Sequence, residues 1–283
     1  MNSWQIGNVK ITRIVELEVA GGSLFILPDA TRDAALPIQW LAPHFMDERG
    51  NLIMSIHSLI VETGDRKVLI DTCLGNDKKR GFPGWHMRQG PFLEDLAEAG
   101  FPRESIDQVL CTHLHVDHVG WNTMLVDGKW VPTFPNARYL MGREEWEHWD
   151  EHATEGQYKE VIDDSVRPIV EAGLVDLVET TEEITDEISL IPTPGHTPGH
   201  VSVRISSEGE EALITGDFLH HPCQMAHPDW CSPADSDSTQ ALRTRLEMFE
   251  RLVDTPVLVI GTHFATPTAG HLVRDGETYR LEI

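Results

Sequence analysis

The chain has 283 residues, with 22 Lys and Arg against 46 Asp and Glu, and a formal net charge of −24. That charge repels phosphate backbones and anionic headgroups, so it argues against nucleic acid and membrane surfaces as partners. No stretch approaches the roughly 20 apolar residues of a membrane span, and the opening MNSWQIGNVK lacks the basic start and apolar run of a secretory signal. A cytoplasmic protein is expected. Cys73, Cys111, Cys223 and Cys231 are dispersed with no CxxC pair, which suggests neither a zinc ribbon nor a dense disulfide framework. No internal repeat or low-complexity tract divides the chain, so the expectation is a single domain, 1–283, with an elaborated region over about residues 1–50.

In chain order, VKITRIVELEV, MSIHSLIVET, the turn GDRK and VLIDTCLGN read as strands of a sheet, the last two forming a hairpin. GPFLEDLAEAG repeats apolar residues at helical spacing and stops at Gly100, and IDQVLCTH is a short strand running into a histidine cluster. REEWEHWDEH and QYKEVIDDSVRPIVEAGL read as helices. ISLIPTPGHTPGHVSVRISS reads as strand, loop and strand, and EEALITGDF as a strand entering a loop. In STQALRTRLEMFERLVD, Leu242, Leu246, Phe249 and Val253 make one apolar helix face. PVLVIGTHF is a last strand ending at a histidine. Two successive halves, each β-rich with helices, imply an α/β (α+β) layered sandwich with polar residues gathered at strand ends.

THLHVDHVG carries the chemistry. Neutral imidazole and carboxylate hold zinc and similar ions, and two histidines at i and i+2, His113 and His115, can converge on one ion. Asp117 and His118 leave the same loop in another direction, toward a second ion. The remaining ligands are sought at other strand ends, where His196, Asp217 and His263 stand. A bridging Asp217 would let each ion keep a coordination position for water, as a catalytic site requires. His57, inside an apolar run, reads as a core residue, His200 as a turn or strand-start residue, and Trp121, Trp146 and Trp149 as packing.

These residues resemble the metallo-β-lactamase superfamily: THLHVDHVG is similar to its HxHxDH signature, VLIDTCLG to its early strand ending in Asp, TPGHTPGH to its second histidine motif, ITGDF to its bridging aspartate and GTHF to its last histidine. The motifs occur in the family's order and span most of the chain. The resemblance implies that His113, His115 and His196 hold one ion, that Asp117, His118 and His263 hold the other, and that Asp217 bridges. Asp71 would orient a ligand histidine. The implied fold is the αβ/βα four-layer sandwich, and the implied cofactors are two divalent ions, Zn2+ first, with Fe, Mn or Co as alternatives.

Two such ions about 3.5 Å apart lower the pKa of a shared water toward 7 and supply a bridging hydroxide, so hydrolysis is the expected reaction. Asp117 is the candidate proton carrier. The region before the signature and GDFLHHPCQMAHPDWCS resemble the lactonase and methyl-parathion-hydrolase-like branch, which implies a lactone or small carboxylic ester as substrate and a homodimer. Many acyl-homoserine lactonases place a substrate-contacting Tyr three residues after the bridging Asp. This chain has His220 there, the second catalytic candidate. Promiscuous phosphotriester hydrolysis and β-lactamase-like amide hydrolysis are the alternatives, followed by glyoxalase II-type thioester cleavage and iron-dependent oxidoreduction.

Overall fold

The structure, a computed structural model, describes residues 3–64 and 66–283. The first two residues of MNSWQIGNVK and Asp65 of the expected GDRK turn lie outside the described residues. Two compact units divide the chain, one of residues 3–16 and 56–180, the other of residues 17–55 and 181–283.

The first sheet takes its strands from β1 (Ser3–Ile6), β2 (Val9–Ala20), β3 (Ile53–Thr63), β4 (Arg66–Ile70), β5 (Gln108–Leu110), β8 (Arg138–Gly142) and β9 (Val175–Val178), and β6 (Thr123–Val126) with β7 (Lys129–Pro132) forms a separate hairpin. The strands of the larger sheet run in the order β1-β2-β3-β4-β5-β8-β9. β3 and β4 form the expected antiparallel hairpin, and from β4 to β9 the pairing is parallel. Parallel strands are covered on both faces, which explains the unbroken apolar runs at Val68–Ile70 and Tyr139–Met141. Ile70 lies opposite Leu110 in the β4–β5 register. Asp71 and the Cys111–Gly120 loop therefore leave the sheet side by side, at the carboxyl ends where parallel sheets place ligand-binding groups.

The second unit carries β10 (Ile188–Pro192), β11 (Val201–Ser207), β12 (Glu210–Ile214), β13 (Leu258–Ile260), β14 (Ala269–Asp275) and β15 (Thr278–Glu282), paired in chain order. β12 and β13 are parallel, with Ile214 opposite Ile260, so ITGDF and IGTHF also emerge as neighbours. Residues 23–41 contribute short helical turns, and Leu27, Leu41 and Phe45 enter the same apolar cluster as Phe218, Phe249 and Phe264.

Two expectations about helices need correction. The helix Ser238–Leu252, capped by the Asp237 carboxylate accepting from Gln240 N, buries Ala241, Thr244, Arg245, Met248, Phe249 and Leu252 and exposes Leu246. Arg245 displaces Leu246 from the core because its guanidinium donates to the carbonyls of Phe218 (2.9 Å) and Pro228 (2.6 Å), bonds that an aliphatic side chain lacks. The stretch expected as one helix over QYKEVIDDSVRPIVEAGL is two short helices, Gly156–Val161 and Arg167–Glu171, joined by a π turn over Ile162–Val166. Pro168 explains the change, since it has no N–H to donate and its ring crowds the carbonyl four residues back, that of Asp164.

Asp164 O is bonded from elsewhere, accepting from the Thr123 hydroxyl and from Lys78 Nζ at 3.3 Å. The Asp164 carboxylate takes both Arg80 guanidinium nitrogens at 2.7 and 2.9 Å, and Lys78 Nζ lies 3.7 Å above the Trp130 ring. Desolvation outweighs the attraction of Asp164 and lowers Lys78 from 10.5 to about 7. Between those values the unfolded chain binds a proton that the folded chain releases, so this lysine makes stability increase with pH. We expect the denaturant midpoint to rise between about pH 7 and pH 9, and Lys78→Met to flatten that rise, in chemical denaturation followed by Trp fluorescence.

Candidate metal centre

In the first unit, Asp71 adopts a left-handed backbone (φ 54°) that turns its carboxylate into the histidine loop. Its Oδ1 accepts from Thr112 N at 2.8 Å, and its Oδ2 pairs with His118 Nδ1 at 2.8 Å. A carboxylate on Nδ1 keeps the proton there and leaves the Nε2 lone pair for a metal. Thr72 N donates to His118 O at 2.7 Å, so backbone and ring of His118 are both fixed. The His113 ring centroid lies 4.0 Å from that of His118 and 4.7 Å from that of His115, and His113 Nδ1 is 3.1 Å from Thr112 Oγ1. All three histidines are buried, while Asp117 is half-buried, with Oδ1 3.8 Å from His118 Nε2.

Glu145 holds the middle of the signature. Fully buried, its Oε1 accepts from Leu114 N at 3.0 Å and from Trp149 Nε1 at 2.6 Å. The Trp149 ring then packs edge-on against His115 at 5.4 Å, with Tyr158 at 5.9 Å from the same imidazole. Trp149, read from sequence as packing alone, therefore touches a candidate ligand. Glu16, raised by burial, accepts from Leu74 N, Gly75 N and Trp121 Nε1 and pins the loop after Asp71.

In the second unit the carboxylate of Asp217 is the centre. Its Oδ2 lies 3.5 Å from His196 Nε2 and 3.3 Å from His220 Nε2, and its Oδ1 lies 3.2 Å from His263 Nε2. The far nitrogen of His196 pairs with Asp235 Oδ1 at 2.8 Å, and His263 Nδ1 lies 2.9 Å from Ser55 O. Thr262 Oγ1 donates to Asp217 Oδ1 at 3.2 Å, and Asp217 N donates to His200 Nε2 at 2.7 Å. His200 thus holds the backbone of Asp217 through a ring whose Nδ1 meets Thr193 Oγ1 at 2.8 Å. Gly216, at φ 57°, lies so close that a Cβ there would meet His200 Nε2 at 2.6 Å.

Nitrogen and oxygen ligands sit about 2.0–2.2 Å from zinc in a tetrahedron, which separates two ligand atoms on one ion by about 3.4 Å. The 3.2–3.5 Å separations around Asp217 match that edge, and the buried imidazole–carboxylate donor set suits a divalent cation. Of the residues singled out in the sequence, the structure gathers Asp71, His113, His115, Asp117 and His118 in the first unit, and His196, Asp217, His220 and His263 in the second. Sequence reading missed Asp235, Glu145 and Glu16, which bond His196, Leu114 and Leu74 from far along the chain. His221, next to His220, is a core residue, lowered to about 4 by burial, with Nε2 2.9 Å from Phe45 O. Cys223 and Cys231 are free.

The metallo-beta-lactamase superfamily model matches residues 54–275, and the chain belongs to that superfamily, one of metallo-hydrolases. Its relatives are distant. It is 25% identical over 174 residues to the N-acyl homoserine lactonase of Bacillus cereus, covering 56% of this chain and 62% of the relative. It is also 25% identical over 189 residues to a probable metallo-hydrolase of Mycobacterium bovis, covering 58% of this chain and 57% of the relative. The chain thus spans about three fifths of the length of the curated relatives it matches. Among solved structures it resembles the hydrolase AbOPH of the beta-lactamase superfamily (TM-score 0.82, 25% identity, 100% of this chain and 97% of that one). The dizinc quorum-quenching lactonase AidC shares the fold (TM-score 0.79, 20% identity, 99% and 96% covered).

Two substitutions separate holding a metal from holding the fold. Asp235→Ala removes the partner of His196 Nδ1, so we expect metal affinity to fall about 10- to 100-fold, read by chelator competition, with the circular dichroism spectrum unchanged. Glu145→Ala leaves two buried donors without an acceptor and should cost about 2 kcal/mol or more in denaturation, while Glu145→Gln, which keeps Oε1, should cost less.

Proposed function

We propose that the chain is a dinuclear metal-dependent hydrolase that opens a lactone or cleaves a small carboxylic ester. The observation that carries this reading is Asp217, with both carboxylate oxygens at ligand-edge distance from histidine Nε2 atoms whose opposite nitrogens face Asp235 and Ser55 O. His113, His115 and His196 would hold one ion, Asp117, His118 and His263 the other, with Asp217 shared between them, as membership of the superfamily supports. Zinc is the ion proposed first, because imidazole nitrogen and carboxylate oxygen are both zinc ligands, with Fe, Mn or Co as the alternatives that the same donor set accommodates. Bound there, two divalent cations supply Lewis acidity toward a carbonyl oxygen and acidify a water.

The residues of the chain do the rest. Asp71 and Asp235 keep His118 and His196 in the tautomer whose Nε2 is available. Asp117, the half-buried carboxylate of the loop, takes the proton of the attacking water and returns it to the leaving alkoxide oxygen as the acyl C–O bond breaks. Trp149 and Tyr158, beside His115, form an apolar, aromatic flank suited to an acyl or aryl group. A lactone or ester is favoured by the lactonase names of the relatives, and the net charge of −24 works against anionic phosphate esters. An uncharged phosphotriester is separated from them by initial rates of hydrolysis. The free thiols of Cys73, Cys111, Cys223 and Cys231 support a reducing, cytoplasmic setting. The 283 residues are read as one metallo-β-lactamase-fold domain.

The test is metal content together with initial rates on a γ-lactone, an aryl ester, a phosphotriester, a cephalosporin and a glutathione thioester, before and after chelation. We expect two zinc equivalents and lactone or ester turnover that chelation abolishes and zinc restores. Hydrolysis unaffected by chelation, or bound iron with no hydrolysis of any of the five, would overturn the reading.

A further inference from the structure

His220 is 1% exposed, and neither of its ring nitrogens has a hydrogen-bond partner among the described residues. The surrounding loop is well bonded all the same. His220 N donates to Gln224 Oε1 at 2.8 Å, and Gln224 Nε2 donates to Trp230 O at 2.7 Å. A fixed backbone with an unsatisfied buried imidazole points to a group that the protein itself does not provide. The ring is aimed: Nε2 lies 3.3 Å from Asp217 Oδ2, without the direction of a hydrogen bond, and His196 Nε2 approaches the same oxygen at 3.5 Å. The two imidazoles meet edge to face, with centroids 4.9 Å apart, and His196, Asp217 and His220 offer ligand atoms that all lie within 4.8 Å of one another.

We propose that His220 is itself a metal ligand, its Nε2 binding the ion that His196 and Asp217 hold. This rests on the dinuclear reading above and deepens it. The separation from Asp217 Oδ2 is the edge expected of two ligands on one ion, about 3.4 Å. His118, His196 and His263 each have a carboxylate or carbonyl on Nδ1, and His220 Nδ1 has none. An imidazole without that support is the less basic and more exchangeable ligand. The position three residues after Asp217 would then tune the coordination number of one ion, rather than donate a hydrogen bond to substrate from outside the metal shell.

The experiment loads the metal-free full-length chain with cobalt, whose visible absorption reports the ligand set, and follows affinity by chelator competition. Wild type is compared with His220→Ala and with His220→Leu, which refills the space, each checked for folding by circular dichroism. We expect both variants to hold one of two cobalt ions about 10-fold or more weakly, with a changed visible band. Added imidazole should restore the band and the affinity in His220→Ala and leave His220→Leu unchanged. Two cobalt ions bound by folded variants with wild-type affinity and spectrum would overturn the proposal while leaving the dinuclear reading intact. Wild-type protein that takes up no cobalt would overturn both.

Discussion

One buried carboxylate, Asp217, lies 3.2–3.5 Å from the Nε2 atoms of His196, His220 and His263, and that arrangement carries an electrostatic condition. With the far nitrogens of His196 and His263 held by Asp235 and Ser55 O, the Nε2 lone pairs of these rings face the carboxylate, and lone pairs repel it. A cation among them removes the conflict. The neighbours of the site can be read as devices that enforce this convergence. Asp235 and Ser55 O engage the far nitrogens, Thr262 orients one carboxylate oxygen, and His200 with Gly216 fixes the backbone from which Asp217 projects.

The first unit reaches a similar end by other means. Its ligand candidates crowd one loop, so the loop itself must be rigid. Asp71 ties Thr112 to His118, Glu145 grips Leu114 between two histidines, and Glu16 clamps the segment that follows Asp71. Each is a buried or nearly buried carboxylate satisfied by backbone or ring N–H groups, which suits an acidic chain short of basic residues. Lys78 and Arg80 are instead used beside the π turn, where Asp164 takes the Arg80 guanidinium together with the Lys78 amine, whose proton burial has loosened.

The alternation of strands and loops was readable because β4, β5, β12 and β13 are short apolar runs that end at a polar motif, and parallel pairing then makes their ends neighbours. The candidate ligands His113, Asp217 and His263 stand out in the sequence because they follow β5, β12 and β13 closely, and His196 because it sits in a Pro- and Gly-bounded loop after β10. Asp235 and Glu145 do not, since they act across 39 and 31 residues of sequence and nothing local marks a carboxylate as a partner for a remote N–H. The apolar face of the helix Ser238–Leu252 was misread because hydropathy ranks Leu246 above Arg245, whereas the core there contains carbonyl oxygens that only a donor can satisfy. The π turn was foreshadowed by Pro168, yet helical periodicity alone passes through it.

Arg245 has a consequence for motion. Its guanidinium reaches the carbonyls of Phe218 and Pro228 from the middle of a helix of 15 residues, and those carbonyls bracket the short segment that contains His220. An irregular loop normally opens at little cost, independently of its surroundings. This one can separate from the helix only by breaking charge-assisted bonds inside the core, so its amide hydrogens should exchange in step with those of the helix. The loop borrows the protection of a regular element while keeping the irregular backbone that lets an imidazole turn toward Asp217.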